Sequence, residues 1–150
     1  MVVAEPLTAA AFEPFGTVVS RPSTGPDATG PGWSWWARTG ALPAADYAIG
    51  YLALEPAARA FDWAEYHPRS VELIAPLGGD CLVYVAPPGD EPERFRVFHV
   101  PAGAGVILDR GVWHGAPLAF AEPLTAIVAL THRADTVMTH FQPISITLED

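Results

Sequence analysis

The sequence predicts an all-β fold, a sandwich or barrel of short strands. Three observations carry this reading. Strand-length apolar runs recur at short intervals along the 150 residues. The 16 prolines and 13 glycines are scattered between those runs instead of gathering in one linker, which reads as frequent turns. Segments with helical character are few and short.

The elements follow in order. Thr8-Ala-Ala-Ala-Phe12 reads as a short helix, with Thr8 as N-cap and Pro14 limiting its length. Gly16 to Ser20 is strand-like. Arg21 to Gly32 is rich in Pro and Gly and reads as a mobile surface loop, leading into Trp33-Ser-Trp35-Trp36. Tyr47 to Leu54 is the next strand, and Pro56 to Ala60 could form a second helical turn, with Pro56 suited to its first position. Further strands are expected at Phe61–His67, Val71–Ala75, Cys81–Ala86, Arg94–Val100, Gly105–Leu108, Leu124–Thr131 and Ile144–Leu148. Turn-rich stretches at 76–80, 87–90 and 101–105 separate several of them.

Bulk properties narrow the function. Half the residues are apolar or aromatic and 17% are charged, a globular composition. The length fits one domain over residues 1–150 with a real core. The formal net charge is −9, with eight Lys and Arg together and no Lys among them. Such a surface repels phosphate backbones and anionic lipid, so nucleic-acid and membrane-surface roles are disfavoured. An anionic small molecule needs a local Arg or a metal ion to overcome that field. The N-terminus lacks the basic start of a secretory signal, and no apolar run reaches membrane-spanning length. A cytoplasmic protein is the expectation. Cys81 is the sole cysteine and lies in an apolar strand, where a small buried hydrophobe is the simplest reading.

Two clusters carry the chemistry. On a strand from Phe61 to His67, side chains alternate, so Phe61, Trp63, Glu65 and His67 share a face. That face begins apolar and ends in a carboxylate and an imidazole. A core-facing stripe should not end in Glu unless that end opens to solvent or a ligand. Pro68 stops the ladder, and a short turn brings Glu72 near His67. The second cluster, Asp109-Arg110-Gly111-Val112-Trp113-His114, supplies an imidazole after a glycine-assisted bend. Glu65, His67, Glu72 and His114 together would suit a divalent ion such as zinc, manganese, iron or nickel. Spacing alone leaves the alternative open that Glu65 and Glu72 are rim residues and His67 a turn residue.

The spacing Glu65-x-His67-x-x-x-x-Glu72, followed by Gly79, resembles the first cupin motif, with Glu for its first His. Asp109-x-Gly111-x-x-His114 resembles the second, with Asp for its usual Pro. Within that superfamily the chain is similar to the ureidoglycolate lyase family. The similarity rests on Pro6-Leu-Thr-Ala-Ala-Ala-Phe-Glu-Pro-Phe15-Gly-Thr-Val-Val, on Glu65-x-His67-Pro68, and on Arg110-x-Val-Trp113-His114-x-x-Pro117-Leu. The chain departs from that pattern at Glu72, where Gln is frequent, at Asp109, where His is frequent, and at Thr131-His-Arg-Ala134, where an Asp-Arg-Gly-Gly segment is frequent.

The resemblance implies a cupin-like double-stranded β-helix, a jelly-roll barrel with one or two short helices. It implies a carbon–nitrogen lyase of ureide (allantoin) catabolism that splits ureidoglycolate into glyoxylate and urea, with a divalent nickel, zinc or manganese ion. A diverged cupin acting on another small organic acid or sugar is the alternative. Metal binding is assigned to Glu65, His67, Glu72 and His114. Asp109 and His114 are the expected acid–base groups, and Arg110 is the expected partner of the substrate carboxylate. Tyr84 and Trp113 read either as core packing or as walls of the substrate pocket. A homodimer is implied as well, with the Trp33–Trp36 segment a candidate contact.

Overall fold

The computed structural model describes residues 1–119 and 121–149. Its first sheet contains β1 (Val2–Pro6), β6 (Ala60–Tyr66), β8 (Cys81–Ala86), β9 (Arg96–Val100), β11 (Trp113–His114), β12 (Leu118–Ala119) and β14 (Val137–Leu148). The strand order is β11-β6-β14-β1-β9-β8-β12, and β11 also pairs with β8. That extra pairing closes the sheet into a barrel. The second sheet has the order β2-β10-β7-β13-β5, formed by Gly16–Val19, Gly105–Leu108, Glu72–Leu77, Leu124–Thr131 and Tyr47–Leu54. A separate hairpin joins β3 (Ala28–Gly30) to β4 (Trp33–Trp35). This is the expected all-β, cupin-like architecture.

Strand β8 shows how local pattern becomes tertiary structure. All six of its residues are buried. Its alternation splits them between two cores: Cys81, Val83 and Val85 face one, and Leu82, Tyr84 and Ala86 the other. The first core lies between the sheets and contains Ile74, Val106, Leu108, Ala126 and Val128 of the second sheet. The second fills the closed sheet from within, where Phe61 stacks on Tyr84 at 3.9 Å between ring centroids. The aromatic overlap adds to the area that both rings bury. In the same way Cys81 is a core residue, and burial pushes its thiol up to about 12.

Several expectations are corrected. The one helix among the described residues is α1 (Ala9–Phe12), where Thr8 Oγ1 accepts from the Ala11 amide at 3.1 Å. Residues 56–59 form no helical turn. Pro56 instead bridges Ala119, a contact between distant segments that local composition does not encode. Val2–Pro6 is a strand because β9 and β14 sandwich it in parallel pairing. Part of the expected loop at 21–32 forms β3 and pairs with the aromatic run. There Trp33 and Trp35 stay exposed, while the Arg21 guanidinium covers Trp36 at 4.8 Å. Strand β14 starts seven residues earlier than the apolar run at 144–148 suggests, because β6 pairs with its first half.

The expected shared face of Phe61, Trp63, Glu65 and His67 is interrupted. Phe61 and Ala64 both point into the closed-sheet core, so alternation slips between them. Opposite the slip, the β14 register shifts between His140 and Ile144, taking up Phe141-Gln142-Pro143. Trp63 and Glu65 are thereby released from the Phe61 face and turned toward the space between the sheets.

Candidate metal centre and cavity

Three backbone features bring the polar side chains together. First, His114 lies directly opposite Glu65 in the β11–β6 pair, so the two side chains are same-face neighbours. Alternation on β11 sends Trp113 into the closed-sheet core, edge-on to Tyr66 at 4.6 Å, and His114 to the opposite side. Gly111, at a φ of 79°, supplies the bend that starts this strand. Second, Glu72 is the first inward position of β7, one alternation before Ile74. Third, His67 leaves the end of β6, and its carbonyl accepts from the Gly111 amide at 3.1 Å, tying the two motif turns together.

The four side chains converge. Ligand atoms of Glu65, His67 and His114 all lie within 4.8 Å of one another. Glu72 Oε2 lies 2.5 Å from His114 Nε2 and 3.8 Å from His67 Nε2, and Glu65 Oε1 is 3.8 Å from His67 Nε2. His67, Glu72 and His114 are buried.

Hydrogen bonding fixes which nitrogen faces the cluster. His114 Nδ1 donates to the Val112 carbonyl at 2.9 Å. His67 Nδ1 donates to the Asp135 carbonyl at 2.9 Å, with the Thr136 hydroxyl 3.2 Å away. Each ring therefore turns its Nε2 to the centre, the atom that would ligate a metal. Asp135 holds its carbonyl there in a left-handed conformation, φ 50°, which is uncommon for a non-glycine residue. Arg69 braces the same loop through its side-chain contact with Asp135 at 3.0 Å and its amide bond to the Ala134 carbonyl.

The inward atoms are incompletely satisfied: His67 Nε2, Glu72 Oε2 and His114 Nε2 are buried, and beyond the close approach of Glu72 to His114 they find no hydrogen-bond partner. Such groups are costly unless something completes them. Burial disfavours a proton on His114, but the Glu72 carboxylate beside it more than offsets this and raises its pKa. The cluster thus attracts positive charge, as a proton or as a cation. Two imidazole nitrogens and two carboxylates, with backbone carbonyls orienting the rings, fit a divalent ion.

The cluster opens onto a cavity of about 350 Å³ between the sheets. Glu65, Glu72 and His114 line it, together with Tyr51, Trp63 and the apolar side chains of both sheets. Glycine at 115 is required beside it, because a Cβ there would meet the Tyr84 hydroxyl at 1.6 Å.

The other expected site residues lie elsewhere. Tyr84 is buried in the closed-sheet core, where its hydroxyl donates to the Trp63 carbonyl at 2.8 Å. Burial, with the nearby Glu65 and Asp62 charges, raises its pKa and keeps it protonated. Trp113 is also core, its indole N–H donating to the Gly89 carbonyl. Asp109 and Arg110 are exposed on the turn before β11 and do not line the cavity. Spacing drew attention to them because they sit inside the motif, but their turn faces away from the cavity. Conversely, the roles of Asp135 and Thr136 had no local signal, since they reach His67 across 68 and 69 residues of chain.

Comparison with known proteins places the chain in a family. A family model described as ureidoglycolate lyase matches residues 1–146. A ureidoglycolate lyase of Azotobacter vinelandii is 34% identical over 128 residues, covering 79% of this chain and 77% of that protein. One of Rhodobacter capsulatus is 34% identical over 126 residues, covering 74% of each. Among solved structures, Peruvianin-I, a cysteine peptidase from Thevetia peruviana latex, superposes with a TM-score of 0.51. It is 15% identical, over 65% of this chain and 58% of that one, which is a likeness of fold alone. By the match across residues 1–146 and the two relatives at 34% identity, this chain belongs to the ureidoglycolate lyase family.

Proposed function

We propose that the protein is a ureidoglycolate lyase, cleaving the carbon–nitrogen bond of ureidoglycolate to give glyoxylate and urea. The observation that supports this reading is a buried cluster of carboxylates and imidazoles, of which Glu65, Glu72 and His114 line a cavity, in a chain of that family. Glu65, His67, Glu72 and His114 would hold a divalent ion, with nickel, zinc and manganese all suited to this donor set. A bound ion would supply Lewis-acid chemistry, lowering the pKa of a substrate hydroxyl.

The chain's own residues define the rest. The reaction takes a proton from a hydroxyl as the carbonyl forms and gives one to the departing urea nitrogen. Glu65 is the less buried of the two carboxylates, its side chain 21% exposed against 11% for Glu72, and it borders the cavity. Proton transfer therefore falls to Glu65 instead of the remote Asp109. His114, held at Nδ1 by Val112, remains an orienting ligand. The apolar walls limit water around the reacting groups. A small anionic substrate, a homodimeric assembly and a cytoplasmic place in ureide catabolism complete the proposal.

Metal analysis of the purified protein, paired with a urea-release assay on ureidoglycolate, tests it. The expected result is near-stoichiometric metal and urea formation that a chelator abolishes. Bound metal without urea release would instead favour the alternative, a cupin for another small organic acid.

A further inference from the structure

The cavity walls are chemically one-sided. Among the described lining residues there is no Arg or Lys, and the acids and imidazole are those of the metal cluster. Tyr51 adds a hydroxyl, but it is engaged with Thr125 Oγ1 at 2.8 Å. The remaining side chains include Leu52, Trp63, Ile74, Val128 and Leu130. A carboxylate entering this space meets no side-chain cation. Its anchor is the ion that the cluster would hold. The rest of the ligand then lies against hydrocarbon and an indole. The volume, about 350 Å³, falls within the range of pockets that enclose ligands well above glyoxylate in size.

We propose that the site binds a second ligand class, 2-hydroxycarboxylates that carry an apolar arm. The carboxylate and hydroxyl sit on the ion held by Glu65, His67, Glu72 and His114, and the arm packs on Trp63, Ile74, Val128 and Leu130. This extends the metal-centre reading and rests on it, while being independent of urea release. The physical reason is transfer of apolar surface from water into a wall that offers few competing polar partners.

The test uses the full-length protein loaded with the divalent ion that metal analysis identifies, titrated calorimetrically with mandelate and with glycolate. The two acids share the chelating head and differ by a phenyl arm. Mandelate is expected to bind at least about tenfold more tightly, within the gain typical of partly burying one ring. In Leu130→Thr that preference should fall severalfold while glycolate affinity stays unchanged. Val128→Thr provides a second wall variant if the first does not fold. Equal affinities, or tighter glycolate binding, in metal-loaded protein overturn the proposal alone. Failure of the protein to take up any divalent ion overturns it together with the metal-centre reading. Tight mandelate binding without urea release upholds it while rejecting the lyase assignment.

Discussion

Two clusters in this molecule pair carboxylates with nitrogen groups and differ in kind. On the outside of the barrel, Arg96 donates from Nε and an Nη to both oxygens of Glu5 at 2.8 and 2.7 Å, linking β9 to β1. Its guanidinium also lies 5.0 Å from the Phe98 ring centroid. That pair is complete. Inside, Glu65, His67 and His114 offer ligand atoms within 4.8 Å of one another, Glu72 adjoins both imidazoles, and the buried His67 Nε2 finds no hydrogen-bond partner. The complete pair is a fastening. The incomplete group has the donor set of a candidate metal site. Hydrogen-bond completeness, more than proximity, separates a structural ion pair from a site.

The largest expected effect breaks the incomplete group. His67→Ala should abolish metal content and turnover together, read by elemental analysis and the urea assay. Unchanged metal stoichiometry in a folded variant would remove His67 from the ligand set.

The next effect separates the ligand from its support. Asp135→Val places a β-branched side chain at a φ of 50° and should displace the carbonyl that orients His67. Metal affinity, measured by competition with a chelator, should fall about tenfold. Asp135→Gly tolerates that backbone and should keep affinity near wild type. Both variants lose the exposed contact with Arg69, which is worth little by itself, so a difference between them isolates the backbone conformation.

The smallest effect concerns the complete pair. Glu5→Gln should cost about 1 kcal/mol near neutral pH, given its partial exposure, and leave metal content unchanged. The hydrogen bonds from Arg96 lower the Glu5 pKa, against a smaller opposing effect of burial. A carboxylate lowered by folding contributes stability above its unfolded pKa and loses it as pH falls through the folded value. The difference between wild type and Glu5→Gln in denaturant unfolding should therefore shrink in acid, below the ordinary carboxylate range. A difference that persists undiminished at low pH would show that the pair acts through packing alone.

How much was legible beforehand follows the range of each interaction. The Thr8 cap, the strand at Cys81–Ala86 and the turn at Gly111 are set by neighbours a few residues away, and the sequence displays them. The slip between Phe61 and Ala64 was hidden, because its cause is the extra chain at Phe141-Gln142-Pro143 in β14. Likewise, 137–143 mixes apolar and polar residues and ends in Pro143, and pairing with β6 makes its first part strand. Asp109, Arg110, Tyr84 and Trp113 belong to or neighbour the motif strands but do not line the cavity. Spacing places a residue near a site in the chain, while strand alternation decides which side it faces.

By itself the sequence determined an all-β chain punctuated by Pro and Gly and a core-forming Cys81–Ala86 strand, and it named four side chains as candidate metal ligands. These depend on local periodicity, turn chemistry and residue type. The tertiary structure alone decided that β6, β7 and β11 bring those four together, that the loop at 132–136 fixes the His67 tautomer, and that no cation lines the described cavity. Those outcomes rest on register between strands and on packing of the two sheets. Such long-range pairings select one arrangement from many that the same local pattern permits.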